Sequence, residues 1–329
     1  MTTTPADAAH TPTLPPPPAV APRVLPTGIW LQVYLDKVQG SRDQQDVALV
    51  RAAQLYGRCV TGLVVHGFVP ATGNANGAVN PARVLAWAQR LRAVGSQLAL
   101  AWGLSADGDY PRDRYRGGYM ATCAGVPGVR FTAIDAEGKF EDDATDKQSA
   151  REMGAAFRRV APDAVVIDQP WMLPTKHWSG FPYEELAAWI DASAPQFYYG
   201  AYARQLGRDR VRVMRPRFAA AWDRLEARLG PRARPRRVTL EGYGWGDRFA
   251  DHVTEMLARP LTLLWCEPWP DDATHRALLV VAELARRGFT GPDAVARFQA
   301  SVALGADGIV GKDTLAALGL AAPSQPSGR

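Results

Sequence analysis

Three consecutive runs decide the fold: Val129-Arg-Phe-Thr-Ala-Ile-Asp135-Ala-Glu137, the amphipathic stretch Lys147–Val160, and Ala164-Val-Val-Ile-Asp168-Gln169. The outer two are rich in β-branched and apolar residues, and the middle one carries helical spacing. Parallel strands need a crossover of about a dozen residues or more, and a helix supplies it. The segment therefore reads as a strand–helix–strand unit of a parallel sheet.

The unit recurs in both directions. Further strands are predicted at Ile29–Leu35, Val60–Val69, Gln97–Leu104, Pro195–Tyr199, Arg237–Tyr243 and Leu261–Glu267. Helices are predicted at Gln44–Tyr56, Pro81–Val94, Tyr183–Ala192, Val213–Leu229 and Phe249–Ala258, with a weaker one inside Tyr110–Cys123 and another, Thr274–Arg287, after the last strand. Pro81 after Asn80 marks a helix entrance, and Gly57 and Gly95 close two helices. Eight such units in about 260 residues fit an α/β fold of the (β/α)8, or TIM, barrel type. No GxGxxG or GxxxxGK[ST] phosphate loop occurs, which removes the main support for a nucleotide-binding sheet.

Composition sets the limits around this barrel. The 329 residues are 47% hydrophobic and 22% charged, enough for one large domain plus a small module. No apolar run reaches the roughly 18 residues of a bilayer-spanning helix, so no membrane insertion is expected. Residues 1–26 hold eight of the 26 prolines and read as an extended arm. The barrel is expected over 27–272, a small helical module over 273–320, and a polar tail over 321–329. The net charge of +5 comes with 33 Arg against five Lys, scattered along the chain. The densest run, Arg232, Arg234, Arg236 and Arg237, falls in a loop, so no nucleic-acid partner is expected. Cys59, Cys123 and Cys266 are far apart and the five His are dispersed, giving neither a metal-ligand cluster nor a disulfide framework. No metal or cofactor is expected, and the thiols read as small core residues.

In a TIM barrel the chemistry sits at the carboxyl ends of the strands. The fourth strand carries Asp135 and Glu137 there. Side chains alternate along a strand, so the two acids project to one side with α-carbons about 6.6 Å apart. Two carboxylates at one mouth repel, which favours one protonated and one ionised, the acid-and-base pair of glycoside hydrolysis. Retention or inversion is left open by spacing. Other strand ends add groups that suit a sugar: Glu241 and Tyr243 on the seventh, Trp265 and Glu267 on the eighth, Gln196 and Tyr198 on the sixth, Asp168 and Gln169 on the fifth, with weaker candidates in His66, Trp102 and Asp36. Aromatic faces pack on pyranose rings while carboxylates and amides take hydroxyls. No GxSxG elbow supports a serine nucleophile.

At the carboxyl end, Asp293-Ala-Val-Ala-Arg-Phe298-Gln299-Ala-Ser-Val-Ala-Leu304-Gly-Ala-Asp307-Gly308-Ile-Val-Gly311-Lys-Asp-Thr314 resembles the second half of the type 1 peptidoglycan-binding domain. Asp307-Gly308 reads as a tight turn, Gly311 as a site of close backbone approach, and Thr314 as a helix cap. That family's usual first Asp-Gly-x-x-Gly loop is missing, so the module is reduced and shares the last barrel helix. The resemblance implies that Phe298, Gln299, Asp307, Gly308, Gly311 and Thr314 belong to a wall-binding element. More loosely, Ile134-Asp135-Ala-Glu137 is similar to the Asp-x-Glu pair of glycoside hydrolase family 25 lysozymes. It implies Glu137 as general acid and Asp135 as the group that polarises or positions the attacking species. The first strand, Trp30-Leu-Gln-Val-Tyr-Leu-Asp36, departs from that family's short Asp-containing start.

The expected function is thus a monomeric, lysozyme-like peptidoglycan hydrolase of the endolysin kind. The alternative is a non-catalytic wall-binding or particle-structural protein with an inactive barrel. The start Met1-Thr-Thr-Thr-Pro lacks a secretory signal. The expectation is cytoplasmic synthesis, then release by a holin or injection on a carrier particle, with action at the cell wall.

Overall fold

A computed structural model describes residues 23–34, 41–66, 81–94, 99–106, 110–136, 146–170, 181–198, 208–242, 249–266 and 269–320. The strands are β1 (Gly28–Tyr34), β2 (Gly62–His66), β3 (Ala99–Ala106), β4 (Val129–Ala136), β5 (Val166–Asp168), β6 (Ala192–Ser193), β7 (Gln196–Phe197), β8 (Val238–Glu241) and β9 (Leu261–Cys266). The helices are α1 (Arg42–Tyr56), α2 (Pro81–Ala93), α3 (Tyr110–Ala124), α4 (Asp146–Val160), α5 (Tyr183–Ala187), α6 (Arg208–Leu229), α7 (Phe249–Ala258), α8 (Asp272–Arg286), α9 (Ala294–Ser301) and α10 (Lys312–Leu318). The strand pairs are parallel, in the order β6-β5-β4-β3-β2-β1-β9-β8-β7.

β6 and β7 are two halves of one barrel strand. Pro195 between them has no N–H to give, so the ladder is interrupted there. On one side Ala194 N–H donates to the Asp168 carbonyl at 2.7 Å and Gln196 N–H to the Pro170 carbonyl at 3.0 Å. On the other side Arg237 N–H donates to the Ser193 carbonyl at 2.6 Å and Thr239 N–H to the Pro195 carbonyl at 2.9 Å. The sheet therefore closes into an eight-stranded (β/α)8 barrel.

Alternation along each strand divides the core in two. Trp30, Val64, Ala101, Phe131, Ala133, Ile167 and Leu263 fill the lower barrel, where the Trp30 and Phe131 rings meet edge to face at 4.7 Å. Leu31, Val65, Ile134, Val166, Leu240 and Leu264 face outward and pack against Leu49, Trp87, Met120, Phe157 and Phe218 on the helices. Cys59, Cys123 and Cys266 are all buried and unbridged.

Several boundaries differ from the sequence reading for local reasons. α1 begins at Arg42 rather than Gln44 because Ser41 forms a capping box with Gln44. α5 stops at Ala187 rather than Ala192, since Asp191 N–H is taken by the Val166 carbonyl and Ala192 already pairs with Ile167. α6 begins at Arg208 and runs through Pro216, which removes one backbone donor without ending the helix. Gly57 closes α1 in an ordinary right-handed conformation; Gly95 and Asn80 lie outside the described residues.

Beneath the barrel, Arg23 clamps the entering chain. Its guanidinium pairs with Asp191 at 2.7 Å and donates to the Pro162 carbonyl, while Arg158 holds the other oxygen of Asp191 at 3.0 Å. Leu25 packs on the lower core and Trp30 Nε1 donates to the Thr27 carbonyl at 3.0 Å. At the other end of the chain, α8 packs on α7 and also on α9 and α10. Leu284, Phe298 and Leu318 belong to the same apolar cluster as the helix–barrel layer. Arg287 lies over the Phe298 ring and donates to the Ala317 and Leu318 carbonyls at 3.2 Å, which covers the open end of α10. Among the described residues no helix is long and apolar enough to cross a membrane.

Candidate active site

The inward positions nearest the carboxyl ends of the strands are polar where those below are aliphatic or aromatic. Gln32, His66, Asp135, Gln169 and Gln196 are all buried, and Tyr34 is half-buried beside them. Asp135 follows the inward-facing Phe131 and Ala133 at two-residue steps, so parity turns its carboxyl into the barrel mouth. It is 7% exposed. Gln196 Nε2 donates to Asp135 Oδ1, and Tyr34 Oη donates to Asp135 Oδ2 at 3.3 Å. The same Gln196 nitrogen donates to the Gln169 carbonyl at 2.9 Å, and Gln32 Nε2 donates to Gln169 Oε1. One polar layer thus joins β1, β4, β5 and β7 across the barrel.

An aromatic band lines the rim next to this layer. Tyr34 stacks on His66 with centroids 4.3 Å apart, meets Trp265 edge-on at 6.2 Å, and Trp265 stacks on Tyr198 at 4.9 Å. Tyr34 and Trp265 are partly exposed, and Tyr198 is buried behind Trp265. His66 is fully enclosed, and burial pushes its imidazole down to about 3, so the ring is neutral at neutral pH. Gly103 provides the room it needs, since a side chain there would run into the His66 ring.

Of the sequence-predicted site residues, Asp135, Gln169, Gln196, His66, Trp265 and Tyr198 come together. Glu137, Tyr243, Glu267 and Asp36 lie outside the described residues. The backbones of Trp102 and Glu241 are described, with Trp102 paired to Val65 and Thr132 and Glu241 paired to Trp265, while their side chains lie outside the described residues. Asp168 goes elsewhere: it has the opposite parity to Gln169 and faces a small cavity between the barrel and α5 and α6, lined by Tyr183, Ser193, Trp222 and Glu226. Burial raises its carboxyl to about 7, against the hydrogen bond from Ser193. Gln32 and Tyr34 were not among the predicted residues. Their signal was the alternation Trp30-x-Gln32-x-Tyr34 itself, polar groups on the same face as a buried tryptophan.

In the small module the predicted residues build the turn. Phe298, Gln299 and Thr314 are buried. Gln299 Nε2 donates to Asp307 at 2.8 Å, the Ile309 carbonyl at 2.9 Å and Thr314 Oγ1 at 3.1 Å, and its Oε1 accepts from Gly308 N–H at 2.9 Å. Asp307 accepts from Ile309 N–H, and Gly308 has φ 73°, so the expected tight turn is present. Two expectations are corrected. Thr314 sits inside the first turn of α10 with its hydroxyl on Gln299, and the N-cap is Gly311, whose position does not cap through a side chain. Gly311 has open space around its Cα, not a close backbone neighbour.

No family model matches the sequence, and no curated protein sequence matches it. Solved structures do match in shape. The glycoside hydrolase domain of PgaB (BpsB) from Bordetella bronchiseptica is 12% identical, with 78% of this chain and 99% of that chain covered at a TM-score of 0.52. The endo-1,4-beta-mannanase of Rhizomucor miehei is 10% identical, with 79% of this chain and 95% of that chain covered at 0.52. What the two comparisons share with this chain is its architecture: the chain has the TIM-barrel fold of these glycoside hydrolases.

Proposed function

We propose that the chain is a glycosidase that cleaves the glycan strand of bacterial peptidoglycan, with Asp135 and Glu137 as its working carboxyl pair. The observation that carries this reading is Asp135 itself, turned into the barrel mouth with hydrogen-bond donors at both oxygens. Two hydrogen bonds given to a carboxyl favour its charged form, which suits Asp135 to the ionised role of the pair. That leaves Glu137, two residues on, to protonate the leaving oxygen. The Tyr34, Trp265 and Tyr198 rings supply the flat apolar surface a pyranose needs. The two fold neighbours, a glycoside hydrolase domain and a mannanase, support carbohydrate cleavage, and the resemblance of residues 293–318 to a wall-binding module supports peptidoglycan as the polymer.

Mass spectrometry of muropeptides released from purified cell walls tests the reading. New reducing ends are expected from the native chain, and Glu137→Gln and Asp135→Asn should each remove them without weakening pull-down on walls. Wall binding with no bond cleaved by the native chain points instead to an inactive barrel. Cleavage of chitin or mannan but not of peptidoglycan overturns the choice of polymer. The nature of the new end separates muramidase from glucosaminidase chemistry.

A further inference from the structure

We infer that Gln196 is a positioning residue that fixes Asp135 as a hydrogen-bond acceptor; its part in turnover rests on the glycosidase reading above. The argument is one of donor and acceptor counting. Gln196 Nε2 reaches two oxygens at once, Asp135 Oδ1 and the backbone carbonyl of Gln169. A backbone carbonyl can only accept, so the NH2 end of the amide must face this pair and its second N–H falls to Asp135. The amide cannot turn over without setting its own oxygen against the Gln169 carbonyl. Asp135 is thereby denied the option of donating along this direction and is held as an acceptor.

The amide is itself well anchored. It is 1% exposed and starts β7 immediately after Pro195, whose fixed φ limits how the backbone can swing. Gln169, which supplies the second acceptor, is tied on by Gln32 from the far side of the barrel. The layer therefore transmits the position of β1 and β5 to a carboxyl on β4. The described contacts place Tyr34 from β1 directly on Asp135, with His66 from β2 stacked behind Tyr34. Tyr34 meets Oδ2, and Gln196 meets Oδ1.

The test follows the carboxyl carbon of Asp135 by NMR titration in the full chain and two variants. Gln196→Met removes the donor at similar volume. Gln196→Asn keeps an amide but withdraws it by one methylene, about 1.5 Å; it is the check if the first variant folds poorly. In both, Asp135 should titrate on the order of one pH unit higher than in the native chain, since a lost hydrogen bond to the charged form raises a pKa. In glycan turnover both should lose kcat by about ten- to a hundredfold, with KM within about threefold. An unmoved Asp135 titration in folded variants overturns the inference, as does a rise in KM with kcat intact. If the native chain cleaves no glycan but the titration moves as stated, the proposed function fails while the role of Gln196 stands.

Discussion

The ring of Tyr34 lies flat on the imidazole of His66, with centroids 4.3 Å apart and planes 13° from parallel. Behind that imidazole is the bare Cα of Gly103. Ring, ring and glycine thus form a fixed stack across β1, β2 and β3, and its outer member carries the hydroxyl that donates to Asp135. Tyr34→Phe keeps the stack and removes the donor. The expected result is a fall in turnover of about tenfold, with a change in unfolding free energy under about 1 kcal/mol. Gly103→Ala does the reverse. It drives a methyl into His66 and should cost about 1–3 kcal/mol as overpacking, seen as a lower urea midpoint.

Stability should fall on the acid side of neutrality. His66 and His252 are buried, and burial pushes both down to about 3 from an ordinary 6.5. Between those values the unfolded chain holds protons that the folded chain refuses, so lowering the pH favours unfolding. Each site contributes a slope of about 1.4 kcal/mol per pH unit. Urea midpoints at pH 7, 6 and 5 should decrease in that order, and a flat series would contradict the burial of these rings.

Asp168 works with the opposite sign. Its folded carboxyl is raised to about 7 from 3.8, so the stability it contributes is complete below about pH 4 and is lost as the pH rises through 7. Asp168→Asn removes the charge and keeps a polar group beside Ser193. The variant should be more stable than the native chain at pH 8, by on the order of 1–4 kcal/mol, and the gap should close toward pH 5. Chemical denaturation of both proteins at the two pH values measures it. Because two histidines and one aspartate oppose each other between about pH 4 and 6.5, the net loss toward acid survives.

Gln299 is the hub of the carboxyl-terminal turn. Replacing it with Leu leaves the half-buried Gly308 N–H without its partner and strips one donor from the Ile309 carbonyl, which keeps the Gly311 N–H at 3.0 Å. The expected cost is about 2–4 kcal/mol, confined to the turn. Amide exchange should accelerate at Gly308 and Ile309 and remain native in β1 and β4. Equal acceleration throughout the barrel would show that this turn and the barrel open as one unit.

Much of the architecture was legible because strand–helix alternation is a strong periodic signal. Asp135 was found the same way, from its place at the end of β4. The sixth strand was harder. Pro195 breaks it in two, and its first half, Ala192–Ser193, carries no β-branched residue, so the helical spacing from Tyr183 runs on into it. Parity separates two adjacent residues without saying which of them faces inward. Asp168 and Gln169 are neighbours in sequence, yet one faces the helices and the other the mouth, and only the ladder with β4 says which. Gln32 is masked by being uncharged: an amide in a buried strand draws little notice until its partner across the barrel is known. Thr314 has the composition of a cap, but a buried Gln299 competes for its hydroxyl and wins.

The Arg23 clamp also determines how the molecule can be attached to anything else. Arg23 is fastened to Pro162 and Asp191, which precede β5 and β6, so it grips the pole opposite Asp135. A tether fused directly before Arg23 would therefore start from the rear, and immobilising a chain that begins at Arg23 through that end should leave the entrance to the barrel unobstructed.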